Sequence, residues 1–600
     1  MREAIQTPPR HSRAPIPALH YRVSMPQPES HLFEVRLDLS RPNLCGTVAE
    51  SSAIDLKMPV WTPGSYLVRE YARHLQNFRV CDRSGQSLPW MKVSKNHWRV
   101  EAGDAETVTV TYRIYANELT VRTNHLDGTH GYFNGAAMFF YVPGAEKQPI
   151  RVAIAPPRNW VVTTSLPAVP GAENTFEAAD FDTLVDSPFE IGTHEIYDFE
   201  VRQKPHQLAI WGRGNAQPDR LLRDMEKIIE VEADLFGGLP YDRYLFLLHL
   251  SGQGYGGLEH KDSCSLNYPR FGLRDRDKYN RFMQLVAHEF FHLWNVKRLR
   301  PKELEVFNYE GECYTPSLWF CEGTTSYYDL AIPFRAGIFN VKTFFKGLSK
   351  DISRFQTTPG RLVQPLSESS WDAWIKLYRR DAYSDNNQIS YYLKGELVSF
   401  LLDLLIRNGS NNRRSLDDVM VHLWEKFGKD EIGYTEAELR EAIASVAETN
   451  LDEFFDLYVD GLEELPFDEY LQPFGLQLKA ENGNDTPDLG LKLAAENGKA
   501  IVKFVEAGSG GESAGIDAGD EILALNGFRI TAETWGDRLK DFEAGDMVEL
   551  TFFHQDELQT HRATLASPRP TSYRIASVAE PTPEQERNFS AWLGCPFVKL

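Results

Sequence analysis

The chain has 600 residues, with 64 Lys and Arg against 85 Asp and Glu, a formal charge of −21, and 42% hydrophobic and 12% aromatic residues. That balance argues against a nucleic-acid binder working through phosphate neutralisation and would repel anionic lipid. It leaves apolar material for three or four ordinary cores.

No apolar run approaches the ~20 residues of a membrane-spanning helix. The opening MREAIQTPPRHSRAPIPALHYRV lacks the roughly 7–15-residue apolar stretch of a secretory signal. The six cysteines, Cys45, Cys81, Cys264, Cys313, Cys321 and Cys595, form no CxxC pair and read as free thiols in a reducing compartment. Together these predict a cytoplasmic protein.

In chain order, residues 1–16 are polar and proline-rich, as in a disordered tail. Residues 17–200 read as an all-β domain of sandwich or saddle type. FEVRLDL (33–39), TVTVTYRIYA (107–116) and IRVAIAPP (150–157) alternate and are separated by Gly, Pro and Asn turns. From 201 to 468 the period changes to helical. RLLRDMEKIIEVEADLFGG (220–238) is amphipathic and ends on glycines, YLFLLHLSG (244–252) is a short strand, and helices are predicted over 279–297, 322–331, 391–407 and 436–447. A third unit spans 469–570, with strands near 489–493, 500–506 and 547–553. A helical tail closes the chain over 571–600, where Thr582, Pro583 and Gln585 spell a capping-box helix start. The fold class is multidomain α+β.

The chemistry concentrates in AHEFFHLWNVKRLRP (287–301). Residues four apart share a helix face, so His288 and His292 can bind one ion while Glu289 stands beside it, placed to take a proton from a bound water. The competing reading is an amphipathic helix with two surface histidines. A catalytic zinc needs a third protein ligand and an open position. Glu322, in LWFCEGTTSYY (318–328), competes for that role with Glu303, Glu305, Glu310 and Glu312, and spacing alone does not choose.

HExxHLWNVKRLRP followed about thirty residues later by LWFCEGTTSYY resembles peptidase family M61, the glycyl aminopeptidase group. Members join an N-terminal β domain, a thermolysin-like, mainly helical catalytic domain and a C-terminal PDZ domain. The resemblance covers nearly the whole chain. It implies a Zn2+ cofactor held by His288, His292 and Glu322, with Glu289 as general base. The spacing to Glu322 is longer than in M1 aminopeptidases and agrees with the M61 form. GYGGLEH (254–260) is similar to the M1 strand whose glutamate binds the substrate's α-amine, implying Glu259 as amine anchor with Gly256 and Gly257 beside the substrate. SYYLKGELVSFLLDLL (390–405) is similar to the M1 Tyr-x-Lys-Gly segment, implying Tyr392 as oxyanion donor, with Tyr391 as its rival. A carboxylate fixed at one cleft end pairs with an ammonium, and a donor aimed at developing charge lowers the barrier.

Two weaker candidates stand outside that set. Lys297, Arg298 and Arg300 read as a solvated or structural basic face, and Asn134 in GYFNGAAMFFYVPG could lie near the substrate amine. Further on, DLGLKL (488–493) and KAIVKFVEAGSGGESAGIDAGDEILALNGFRI (499–530) resemble a PDZ domain, in which Leu489-Gly490-Leu491 would receive a peptide C-terminus that adds as a strand.

The resulting expectation is a zinc aminopeptidase acting on small N-terminal residues (Gly or Ala) of peptides with a free N-terminus. The alternatives are a PDZ-assisted zinc endopeptidase and a catalytically silent PDZ scaffold.

Overall fold

The computed structural model describes residues 17–44, 51–482 and 485–600; the tail expected at 1–16 lies outside the described residues. Alternation dictates the N-terminal part. Along Leu32–Ser40, Phe33, Val35, Leu37 and Leu39 are buried while Arg36 points outward. This strand is central in a six-stranded sheet ordered Thr175–Ala178, Ile150–Ala155, Leu19–Ser24, Leu32–Ser40, Thr107–Tyr115, Leu75–Asp82. A three-stranded sheet (Ala53–Lys57, His97–Glu101, Trp90–Ser94) and a four-stranded one (Val161–Thr164, Phe189–Gly192, His130–Phe133, His125–Leu126) share its apolar core. The described residues up to Gly192 are thus β-rich, interrupted by a short α-helix, Phe181–Val185, capped by Asp180, and by single 3-10 turns.

The next strands belong to a different sheet, ordered Glu195–Val201, Lys204–Trp211, Tyr244–Ser251, Ser263–Pro269, Gly256–Glu259. Its middle strands pair in parallel, and Tyr244–Ser251 is buried along its entire length, as a central parallel strand should be. The edge strand Gly256–Glu259 runs antiparallel and borders the cleft described below. Helices Pro218–Phe236, Arg276–Phe291, Thr324–Arg335, Val341–Gln356, Tyr391–Gly409 and Glu436–Ala447 pack around one large core with this sheet.

Residues from 485 to 566 form a separate small unit with its own core of Leu489, Val502, Ile522, Leu550 and Phe552. Its strands lie in the order Leu491–Glu496, Lys499–Val505, Glu521–Leu525, Met547–His554, Glu557–Thr564. This unit is inserted between two paired strands, Leu476–Asn482 and Ser572–Ser577, that belong to the helical body. Tyr573 and Ile575 take hydrogen bonds from their amides to Ser353 and Ser349, which anchors the returning chain on helix Val341–Gln356. The closing helix Pro583–Leu593 has the expected capping box and seats Phe589 and Leu593 in the main core. The C-terminal segment expected as helical therefore also carries a strand. No described helix is long and apolar enough to cross a membrane.

Candidate active site

Helix Arg276–Phe291 begins at Asp275, whose carboxylate accepts from the Lys278 amide; it ends at Phe291, six residues before the expected limit, with His292 as its cap. His292 keeps helical dihedrals, so the four-residue spacing still sets it on the face of His288, with ring centroids 4.7 Å apart. Beyond it the chain turns sharply. Asn295 donates from its side-chain amide to the carbonyls of Phe320 and Cys321 at 3.0 and 3.1 Å. This clamp holds the π turn Trp319–Gly323 that precedes helix Thr324–Arg335. Glu322 lies in that widened turn, not in the regular helix expected from its sequence; such turns recur at functional sites because they re-aim a side chain.

Glu322 is buried, and its Oε2 lies 3.1 Å from His292 Nε2 and 3.5 Å from His288 Nε2. The outer ring nitrogens are engaged. His292 Nδ1 donates to the Asn295 carbonyl at 2.7 Å, and His288 Nδ1 meets Asp329 Oδ2 at 2.9 Å. Because a carbonyl only accepts, His292 carries a proton on Nδ1, and its Nε2, like that of His288, is left facing Glu322 Oε2. So close an approach needs positive charge, supplied either by a second proton on the imidazole or by a metal cation held between the groups. The donor set of two imidazoles and a carboxylate suits zinc, so His288, His292 and Glu322 fit the expected ion.

These residues line a cleft of about 350 Å3 with Glu259, Glu289, Tyr378, Tyr392, Arg122 and Gly257. A larger groove of about 780 Å3, between Leu404, Arg413 and Tyr470, has no histidine in its described lining and lies away from this chemistry. Burial pushes the Glu289 carboxyl up to about 7 despite the nearby histidines. Glu322 goes the other way: burial opposes its charge, but His292 and His288 outweigh burial and hold it at about 2. Edge strand Gly256–Glu259 runs directly over the helix. A Cβ at Gly257 would sit 2.1 Å from Glu289 Oε1, so a larger residue here would have to displace the Glu289 carboxylate. Glu259, 3% exposed, has an Oε1 without a hydrogen-bond partner and packs against the backbone of Gly64.

Of the two tyrosines, Tyr392 borders the cleft, its ring centroid 6.3 Å from that of His288, whereas Tyr391 is fully buried. The Tyr378 hydroxyl lies 3.1 Å from that of Tyr392. None of Glu303, Glu305, Glu310 and Glu312 lines the cleft; Glu305 pairs with Lys302 and Glu310 with Lys57. Asn134 is buried away from it, capping a turn through Ala136 N at 2.9 Å. Lys297 and Arg298 are not solvated: both are buried, Lys297 on Asp186 and Arg298 on Asp262 and three carbonyls.

Sequence reasoning missed Asp329, Arg122, Tyr378 and Gly64. Asp329 stands two helical turns after Glu322, a spacing that could have flagged it. Arg122, which donates to the Gly257 carbonyl at 3.2 Å, comes from the β-rich part and carries no local signal.

Residues 20–193 match the Peptidase M61 N-terminal domain, and residues 281–398 match M61 glycyl aminopeptidase. The crystal structure of an aminopeptidase N family protein from Idiomarina loihiensis is similar, with a TM-score of 0.89 and 31% identity over 95% of this chain and 99% of that one. The chain belongs to peptidase family M61. The M61 peptidase segment contains His288, Glu289, His292, Glu322 and Tyr392. More remote likenesses are an M1 zinc metallopeptidase from Deinococcus radiodurans (TM-score 0.44, 14% identity, 75% of this chain and 94% of that one) and yeast LTA4 hydrolase in complex with Bestatin (0.45, 15%, 77% and 72%). No curated protein matches the chain.

Proposed function

We propose that this M61 chain is a zinc-dependent aminopeptidase that removes small N-terminal residues, Gly or Ala, from peptides. The observation that carries the reading is Glu259: a buried carboxylate with an unpartnered oxygen, in the same cleft as His288, Glu289, His292 and Glu322. Such a group is satisfied by an ammonium, and an α-amine fixed there brings the first peptide bond to the reacting centre. The preference for Gly or Ala rests on the family's description as glycyl aminopeptidase.

His288, His292 and Glu322 would hold the zinc, which when bound supplies Lewis acidity and lowers the pKa of water to about 7. Glu289 accepts the attacking water's proton at its open Oε2 and returns it to the leaving amine. The Tyr392 hydroxyl donates to the developing oxyanion and is oriented by Tyr378. Gly256 and Gly257 give the substrate a strand edge to lie along.

The inserted unit at 485–566 reads as a PDZ domain. Its edge strand Leu491–Glu496 has one sheet neighbour, which leaves a side for a peptide C-terminus to add as a strand. That open edge favours a second reading, an endopeptidase that recruits substrates through it. One experiment separates the two. An Ala- or Gly-initiated peptide is offered with a free or an acetylated N-terminus and followed by mass spectrometry. Stepwise loss of single residues from the free form alone is expected; equal internal cleavage of both forms would replace the aminopeptidase reading.

A further inference from the structure

The chain holds a second triad of the same composition. His130, Glu190 and His249 bring their donor atoms within 4.8 Å of one another, as His288, His292 and Glu322 do. His130 Nδ1 lies 2.9 Å from Glu190 Oε1, and His249 Nε2 lies 2.8 Å from Oε2. Period-two alternation builds the cluster. On strand Phe189–Gly192, Phe189 and Ile191 enter the N-terminal core and turn Glu190 to the other face. On Tyr244–Ser251, Tyr244, Phe246, Leu248 and Leu250 enter the main core, while Leu245, Leu247 and His249 face the N-terminal strands. The triad thus sits where the two sheets meet, beside a small apolar patch of Tyr132, Ala209, Leu245 and Leu247.

The cluster is sealed. The side chains of His130, Glu190 and His249 are 0–2% exposed, and none lines the cleft. A buried carboxylate needs compensating charge. Among the described residues, no Lys or Arg pairs with Glu190; its ion-pair partners are His130, His249 and His194. His194 is the telling one. Its side chain is fully buried, and its Nδ1 has no hydrogen-bond partner although it lies 3.8 Å from Glu190 Oε1. Its Nε2 is 2.7 Å from the Thr163 hydroxyl. If Nε2 donates there, Nδ1 turns a bare lone pair toward the carboxylate. If Nδ1 carries the proton instead, 3.8 Å is beyond hydrogen-bond reach.

A cation held by His130, Glu190 and His249 supplies the missing charge. Ligand bonds of ~2.0–2.2 Å put tetrahedral donors about 3.3–3.6 Å apart, so three donors already within 4.8 Å of one another need only small shifts to close on an ion. Sealed from the cleft, such a site is structural, not catalytic.

We propose that His130, Glu190 and His249 bind a second divalent transition-metal ion of the zinc class, with the idle Nδ1 of His194 beside Glu190, and that the ion staples the β-rich N-terminal part to the peptidase sheet. Outer histidine contacts matter in such sites, and the His194–Thr163 contact supplies one; the face of Trp211, stacked 3.6 Å from the His130 ring, covers another side. The inference is independent of the catalytic reading.

The test counts metal in the full chain. Protein loaded with Zn2+ and dialysed against a weak chelator is analysed by mass spectrometry of elements. Two zinc ions per chain are expected in the wild type and one in His288→Ala/His292→Ala, lost again when Glu190→Gln is added. One ion in the wild type and none in the double variant would overturn the proposal. If chains carrying Glu190→Gln fail to fold, X-ray absorption at the zinc edge of the double variant decides. A shell with at least two imidazoles and a carboxylate supports the site, and a shell of sulfur or mostly water refutes it.

Discussion

Glu289 and Glu322 are identical side chains, both buried within a few ångströms of the same two histidines, yet the fold drives them apart. Glu322 sits against both Nε2 atoms, which hold it ionised; Glu289 points under the edge strand, where burial dominates and one oxygen stays open. The first is therefore suited to hold a cation and the second to exchange a proton. Glu289→Gln keeps the shape and removes the exchangeable charge. We expect it to retain zinc and to lose turnover by ~10^2–10^4-fold, measured as kcat alongside metal content. Full turnover with metal in place would refute the general-base role. At this scale the sequence was most informative where chemistry sits on one helix: the i, i+4 geometry of His288 and His292 follows from spacing alone. Arg122, Tyr378 and Gly64 reach the cleft from three separate stretches of the chain, and no local pattern encodes that meeting.

The elements carry the cleft through a few close contacts. Gly323 and Gly395 touch: a Cβ on Gly323 would lie 2.5 Å from Gly395 Cα, and one on Gly395 would lie 2.7 Å from the Trp319 carbonyl. This contact locks the π turn that holds Glu322 to the first turn of helix Tyr391–Gly409, which holds Tyr392. Gly395→Ala must push the two elements apart. We expect ~1–3 kcal/mol of lost stability from overpacking, together with a fall in kcat, since both groups move relative to His288. Thermal melting and steady-state kinetics measure the two effects, and a variant as stable and active as the wild type would show that the contact positions nothing. Strands and helices were legible because their periods are long and regular: Glu436–Ala447 matches its expected limits, and Thr582 and Gln585 form the predicted cap. The π turn was not, because residues 322–331 read as regular helix and the clamp on the turn, Asn295, comes from a different element. The pairing of Leu476–Asn482 with Ser572–Ser577 was hidden by the unit inserted between them.

At the scale of the molecule, one carboxylate of the β-rich part ties together two of the segments that build the cleft. Asp186 follows the short helix Phe181–Val185 and meets Lys297 Nζ at 2.6 Å, His260 Nδ1 at 3.1 Å and the Lys261 amide at 2.7 Å. It therefore holds both the chain leaving the HExxH helix and the chain leaving Glu259. Burial opposes its charge, but Lys297 and His260 outweigh burial and hold its pKa well below the usual carboxylate range. The sign of the linkage follows. An unfolded Asp titrates near ~3.9, so the stabilisation is fully present above that pH and is lost as pH falls through the lower, folded value. Asp186→Asn removes it at every pH and leaves Lys297, with only 7% of its side chain exposed, without its partner. A cost of ~3–5 kcal/mol at neutral pH is expected for breaking a buried pair. Melting temperatures of the wild type and Asp186→Asn, followed from pH 7 down to pH 2, should run parallel to about pH 4 and draw together below it, as the unfolded wild-type chain takes up the proton that the folded Asp186 refuses. Curves that stay parallel below pH 4 as well would mean that Asp186 carries no linked charge.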